Sequence, residues 1–182
     1  MLFCIGNLEF SPAVSRPELL ASSVAAALSS PDWPLPADAI GVAEIDPELA
    51  DTAAFCERYA VGQDESANCV VVTGRREGET RFAACVVLAR TRADVNGLAR
   101  RAIDVRKASF AAAQTAVELT GMEYGGITPI GLPPGWLVLV DAAVAAAPQV
   151  VIGSGIRGSK LALAGKTLAD VPAAQVIEGL GR

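Results

Sequence analysis

The chain has 182 residues and a formal net charge of −5, with 52 % hydrophobic, 19 % charged and only 5 % aromatic residues. That length suits one domain with a real core, built mainly of Ala, Val, Leu and Ile. No apolar run reaches the ~18–20 residues of a membrane-spanning helix, and the acidic balance argues against indiscriminate nucleic-acid or DNA binding.

In chain order, Ser15-Arg-Pro-Glu is expected to open a helix running toward Leu28, with Pro17 tolerated in its first turn. Ser29 to Pro36 (SSPDWPLP) breaks it, and Asp51 to Tyr59 reads as a second helix capped by Asp51 or Thr52. From Asn68 the period changes. Val70 to Val72 and Phe82 to Leu88 predict a β-hairpin with a long charged connection around Thr73 to Thr80. Ala93 to Ala102 and Ala111 to Leu119 read as helices, the latter stopped by Gly121 in a left-handed conformation. Trp136 to Val140 is a strand, and Asp141 caps a short alanine-rich helix. Gln149 to Ile152 and Lys160 to Leu163 are strands, and Val171 to Ile177 closes the sheet. Strands and helices interleave without regular βαβ alternation. The expectation is a single α+β domain whose mixed sheet is curved or closed, barrel-like, around small residues, with helices surrounding it.

Histidine is absent, which removes Ser-His-Asp and Cys-His catalysis and imidazole-dependent zinc sites. Any chemistry must use carboxylates, lysine, hydroxyls, backbone dipoles or the substrate itself. Cys4, Cys56, Cys69 and Cys85 form no CxxC pair, so they read as reduced, mostly buried thiols rather than a metal site. MLFCIGNLEF lacks the basic start and long apolar stretch of a secretory signal, so a cytoplasmic location and no cofactor are expected. Arg90, Arg92, Arg100, Arg101, Arg106 and Lys107 fall within eighteen residues. They read either as a solvated face or as an anion-contact patch.

Two glycine-rich loops stand out. Leu119 to Pro134 (LTGMEYGGITPIGLPP) carries five turn-forming residues between Gly125 and Pro133, and such a loop presents bare backbone N–H groups. The second loop, Gly153-Ser-Gly-Ile-Arg-Gly158, matches GxGxxG after a strand. A dinucleotide fold fails on context: SKLALAG alternates like a strand instead of opening a helix, and only 24 residues follow Gly158. Both loops flank one sheet, so a pocket walled by backbone amides is one reading and plain surface turns the other. Arg157 and Lys160, beside the second loop, read as anion contacts or as ordinary solvated cations.

From about Asp51 to Gly181 the chain resembles the YbaK/ProX family, the stand-alone relatives of the prolyl-tRNA synthetase editing domain. The resemblance rests on Arg106-Lys-Ala-Ser-Phe-Ala111, Leu119-Thr-Gly121, Gly125-Gly-Ile-Thr-Pro129-Ile-Gly131, the strand end Val138 to Asp141, and Val150 to Gly158. It leaves residues 1–50 as an N-terminal extension packed on an editing domain of residues 51–182. It implies trans-editing, the hydrolysis of the ester joining a wrong amino acid to a tRNA. The implied partners are aminoacyl-tRNA and an aminoacyl-tRNA synthetase, and the chain itself is read as a monomer or homodimer.

On this resemblance, Gly125 and Gly126 place amides near the ester carbonyl. Ile127, Thr128, Pro129, Gly131, Gly153, Ser154, Gly155 and Arg157 line the substrate, and Arg100, Arg101, Arg106 and Lys107 contact the tRNA. The family's lysine falls at Asn68, and its aspartate in the strand after the second loop falls at Lys160. The two changes read as compensatory, one cation lost at 68 and one gained at 160. The alternatives are a non-catalytic module that binds an aminoacyl-tRNA end, an amino acid or a synthetase, and a scaffold that self-associates through residues 1–50.

Overall fold

The computed structural model describes residues 4–36 and 38–182; Met1 to Phe3 and Ala37, all within the segment expected to form an N-terminal extension, lie outside them. Short strands β1 (Cys4–Ile5), β2 (Leu8–Glu9) and β3 (Ser11–Pro12) precede two single turns of 3-10 helix, Ala13–Ser15 and Pro17–Leu19. Arg16 and Leu20 leave helical geometry, with ψ of 56° and 148°. The helix expected from Ser15 therefore starts only at Ser22, as α1 (Ser22–Leu28). After the proline-rich break comes β4 (Ile40–Glu44), a strand the sequence reading did not anticipate. Next are α2 (Thr52–Tyr59), β5 (Ala67–Arg76) and β6 (Glu79–Leu88).

β5 and β6 pair continuously from Ala67↔Leu88 to Arg76↔Glu79. The long connection expected around Thr73 to Thr80 is thus a two-residue turn. Glu77 and Gly78 both have positive φ, 53° and 88°, the geometry that matches strand twist in a tight hairpin. Val95–Ala99 forms a π-helical turn that continues into α3 (Arg100–Ala102). β7 (Ala108–Phe110) leads into α4 (Ala113–Thr120), which Gly121 ends at φ 67° as the sequence predicts. β8 (Leu137–Asp141), α5 (Ala142–Ala145), β9 (Val150–Gly153), β10 (Ser159–Leu163) and β11 (Ala174–Ile177) complete the chain.

This is one α+β domain with two principal sheets. A mixed sheet has the order β11-β8-β6-β5-β7, and an antiparallel sheet has the order β3-β4-β10-β9. β4 is an inner strand of the second sheet, paired with β10 from Ile40↔Leu163 to Glu44↔Ser159, so residues expected to form an N-terminal extension pair directly with a strand from the far end of the chain. The sheets meet where Ser66 bridges Val151 of β9. The main core, including Val24, Leu28, Val86, Val140, Ile152, Leu161 and Leu163, fills the space between them and α1. Each such side chain, fully buried, stabilises the fold by about 1.5–3 kcal/mol. Among the cysteines only Cys85 is buried: Cys56 and Cys69 are half-buried and Cys4 is exposed, because Cys69 sits where a cavity opens and β1 lies at the surface.

Candidate active site

The site originates in a fork. β5 begins beside β9, where Val151 N–H donates to the Glu65 carbonyl (2.7 Å). It then diverges to pair with β7 at Val72↔Phe110. Between these points no strand pairs with that edge of β5 among the described residues. Direction along the strand is fixed by alternation. Ser66 O accepts from Ala89 N–H on the β6 side, whereas Val71 O accepts from Ala111 N–H on the other. Odd-numbered residues therefore turn their backbone groups to the open edge, and the N–H and C=O of Cys69 face the fork. A cavity of about 390 Å³ opens there, lined by Asn68, Cys69, Val70, Val71, Gly125, Ile127, Gly153 and Lys160 among others.

Lys160 and Asp51 are the charged side chains that line this cavity, and Lys160 is the buried one. It stands at the centre of the four-stranded sheet, paired with Ala43 on one side and Gly153 on the other, and is only 9 % exposed. Its Nζ donates to the Ala50 carbonyl (3.0 Å) and lies 5.1 Å from the Phe55 ring centroid. Burial first, and Arg157 second, pull its pKa down from 10.5 to about 8. Asn68 lines the same cavity, and its Oδ1 accepts from Thr52 Oγ1 (2.6 Å). Asn68 and Lys160, read from the sequence as a displaced pair, thus share one cavity. Burial pushes the Cys56 and Cys69 thiols up, so neither is a thiolate near neutral pH.

The glycine loops divide between cavity and scaffold. Gly125, Ile127 and Gly153 line the cavity. Gly126 does not: its N–H donates to Glu123 O (2.9 Å), and its carbonyl accepts from Gly155 N–H (2.7 Å). The oxyanion-donor role expected for Gly126 is therefore corrected, because its amide is already committed to a turn. Its small size serves loop-to-loop contact instead, since a Cβ would lie 2.6 Å from the Ile156 backbone carbonyl. Gly126→Ala should separate the two loops, lowering stability by about 1–3 kcal/mol; a thermal melt run beside an activity assay should show both falling together.

Several other expected substrate contacts face away from the cavity. Gly131 and Gly155, at φ 77° and 88°, receive the start of α1, close to Ser23 and Ala21 respectively. Ser154 is buried, and its Oγ donates to the Ser159 carbonyl (3.0 Å) while its own carbonyl accepts from Ala21 N–H. Thr128 is fully buried. Pro129 and Gly131 border a separate groove with Trp33 and Trp136. These residues hold the N-terminal segment against the back of the loops. Arg157 sits at the cavity's margin as a clamp: Nε donates to Pro47 O (3.1 Å), Nη1 to Tyr124 O (3.3 Å), and Asp51 Oδ1 lies 3.6 Å from Nη1.

The basic cluster also divides. Arg90 pairs with Asp64. Arg100, Arg101 and Arg106 line a second cleft, of about 710 Å³, with Arg75 and Arg76 from the tip of the hairpin. Lys107 is not among its lining residues. Sequence reading missed Arg75 and Arg76, and the signal available was their position beside the turn. Five arginines against Glu77 and Asp104 make this cleft strongly positive on an acidic chain. It lies about 23 Å from Asn68, counting seven residues along β5 at about 3.3 Å each.

The class these features define is that of an editing domain. The family model for the aminoacyl-tRNA editing domain matches residues 46–171, and the chain belongs to that family. Among solved structures, one described as a proposed trans-editing enzyme for prolyl tRNA synthetase superposes with a TM-score of 0.70 at 20 % identity, covering 92 % of this chain and 96 % of that one. A hypothetical protein superposes with a TM-score of 0.68 at 22 % identity, covering 78 % of this chain and 90 % of that one. At those identities the likeness is one of fold. No curated protein matches the chain.

Proposed function

We propose that this protein is an aminoacyl-tRNA deacylase that hydrolyses the ester of a mischarged tRNA in trans. The observation that carries this reading is the convergence of a buried, charged Lys160 and the open β5 edge at Cys69 on one cavity. Water attacks the ester carbonyl, and the oxyanion that develops is met by the Lys160 ammonium and the Cys69 N–H. As the tetrahedral intermediate collapses, the bond to the ribose oxygen breaks and the proton given up by the attacking water passes to that oxygen, releasing a free amino acid and a tRNA with its terminal hydroxyl restored. Preorganised donors of this kind need no imidazole. Asn68, held by Thr52, positions the ribose or the amino group through its remaining hydrogen-bonding capacity. The Ala, Val and Ile side chains of the lining favour small uncharged aminoacyl groups.

The arginine cleft supplies the tRNA contact in this reading, through Arg75 and Arg76 together with Arg100, Arg101 and Arg106. The deciding experiment is release of free amino acid from a panel of mischarged tRNAs incubated with the purified protein. Selective release above the uncatalysed rate is expected. Binding of tRNA without release from any member would overturn the hydrolytic reading in favour of a non-catalytic module.

A further inference from the structure

The rim of the Lys160 cavity carries two aromatic rings that the hydrolytic step does not use. Phe110 is 60 % exposed and Tyr124 is 65 % exposed, and both line the cavity. The chain has few aromatic residues and buries Phe10, Phe55 and Trp136, so two rings left in water at one opening forgo burial that the core would otherwise gain. They come from different elements. Phe110 ends β7, opposite Val72 of β5, and Tyr124 immediately precedes Gly125 in the first glycine loop.

Their place along β5 gives the rings a meaning. Asn68, at the cavity, comes first on the strand. Val72, paired with Phe110, lies about 13 Å farther on, and Arg75, in the arginine cleft, about 10 Å beyond that. Acyl site, exposed ring and phosphate-binding cations therefore follow one another in a line. A single-stranded RNA end bearing an ester on its last ribose has the same order: ester, ribose, base, then the phosphates of preceding nucleotides.

We propose that Phe110 and Tyr124 form a stacking platform for the terminal nucleobases of the RNA strand that carries the aminoacyl ester. Stacking on an aromatic face tolerates any base, because every base has a π-face, and loss of one ring weakens binding on the order of 10-fold. The platform fixes the last ribose over the Cys69 edge, while the choice of amino acid is left to the cavity below. The inference rests on the deacylase reading for its substrate, and its test separates the two.

The probe is a single-stranded RNA oligonucleotide with 2-aminopurine as its 3′-terminal base, whose fluorescence is quenched on stacking. The wild-type protein is expected to quench it. Phe110→Leu and Tyr124→Leu should each reduce that quench and weaken binding roughly 10-fold, while Phe110→Tyr and Tyr124→Phe restore both. In parallel, the leucine variants should raise KM for aminoacyl-tRNA hydrolysis by a similar factor, with the larger share of the effect in KM rather than kcat. Quench that depends on the two rings, without hydrolysis of any mischarged tRNA, supports the platform and defeats the deacylase reading. Hydrolysis with an unchanged KM in both leucine variants, or absence of quench by the wild-type protein, overturns the platform.

Discussion

Lys160→Met is expected to lose activity by about 10²–10³-fold while making the protein more stable. The two effects share one cause. Burying the ammonium has drawn its pKa from 10.5 to about 8, a shift equivalent to about 3 kcal/mol against the charged form. An unfolded chain keeps the ordinary value, so between pH 8 and 10.5 the unfolded state binds more protons than the native one. Stability contributed at this site therefore rises with pH through that window and is lowest below pH 8. Methionine fills similar volume with no charge. It removes the penalty but forfeits the Ala50 hydrogen bond and the contact with Phe55, leaving a net gain of about 1–2 kcal/mol.

The pH profile supplies an independent check. If the ammonium meets the oxyanion, hydrolysis corrected for the uncatalysed background should decline as pH rises through about 8. Lys160→Arg, whose guanidinium remains charged, should lose that decline whatever its absolute rate. A wild-type rate that instead rises through pH 8 would make Lys160 a base, and a methionine variant retaining more than a tenth of the activity would remove it from the chemistry.

Side-chain periodicity made much of this fold legible. β5, β6, β8, β9 and β10 announce themselves through runs of Val, Ile, Leu and Ala, and Gly121 marks the end of α4 where the sequence places it. β4 went unseen because Ile40 to Glu44 is short and follows the proline-rich break. The glycine loops show a deeper limit. A glycine that lets a ligand approach backbone and one that lets another segment approach look identical in sequence. Gly125 and Gly153 border the cavity, whereas Gly126, Gly131 and Gly155 make room for Ile156, Ser23 and Ala21. The edge amide of Cys69 leaves no side-chain signature, since it arises from β5 parting from β9 to join β7. Asn68 and Lys160 stand out in the sequence because a departure from a family pattern is itself a sequence observation. Phe110 stands in the Arg106–Ala111 stretch and Tyr124 in the first glycine loop, and only their exposure distinguishes them.

The double reversal Arg101→Glu, Arg106→Glu should raise KM for full-length aminoacyl-tRNA on the order of 10²-fold at low salt, with little change in kcat. Both side chains are exposed and come from the segment that faces the hairpin tip. Gly74 allows that approach, as its backbone passes close to Val105 and to the Lys107 carbonyl. Arg76 and Arg81 are partly neutralised by Asp104, so Arg101 and Arg106 carry much of the cleft's uncompensated charge. Their cleft meets β5 at Arg75, about 23 Å from Asn68 along the strand and well beyond the ~8–10 Å screening length at ordinary ionic strength, so they act on binding and not on the reacting ester. The slope of log affinity against log salt should fall by about one for each phosphate that the variant no longer engages. A short aminoacylated oligonucleotide too small to span from cavity to cleft should be hydrolysed equally by wild type and variant. Equal losses on short and full-length substrates would instead mean that the reversal had disturbed the cavity, and an unchanged KM on full-length tRNA would mean that the RNA takes another path across the surface.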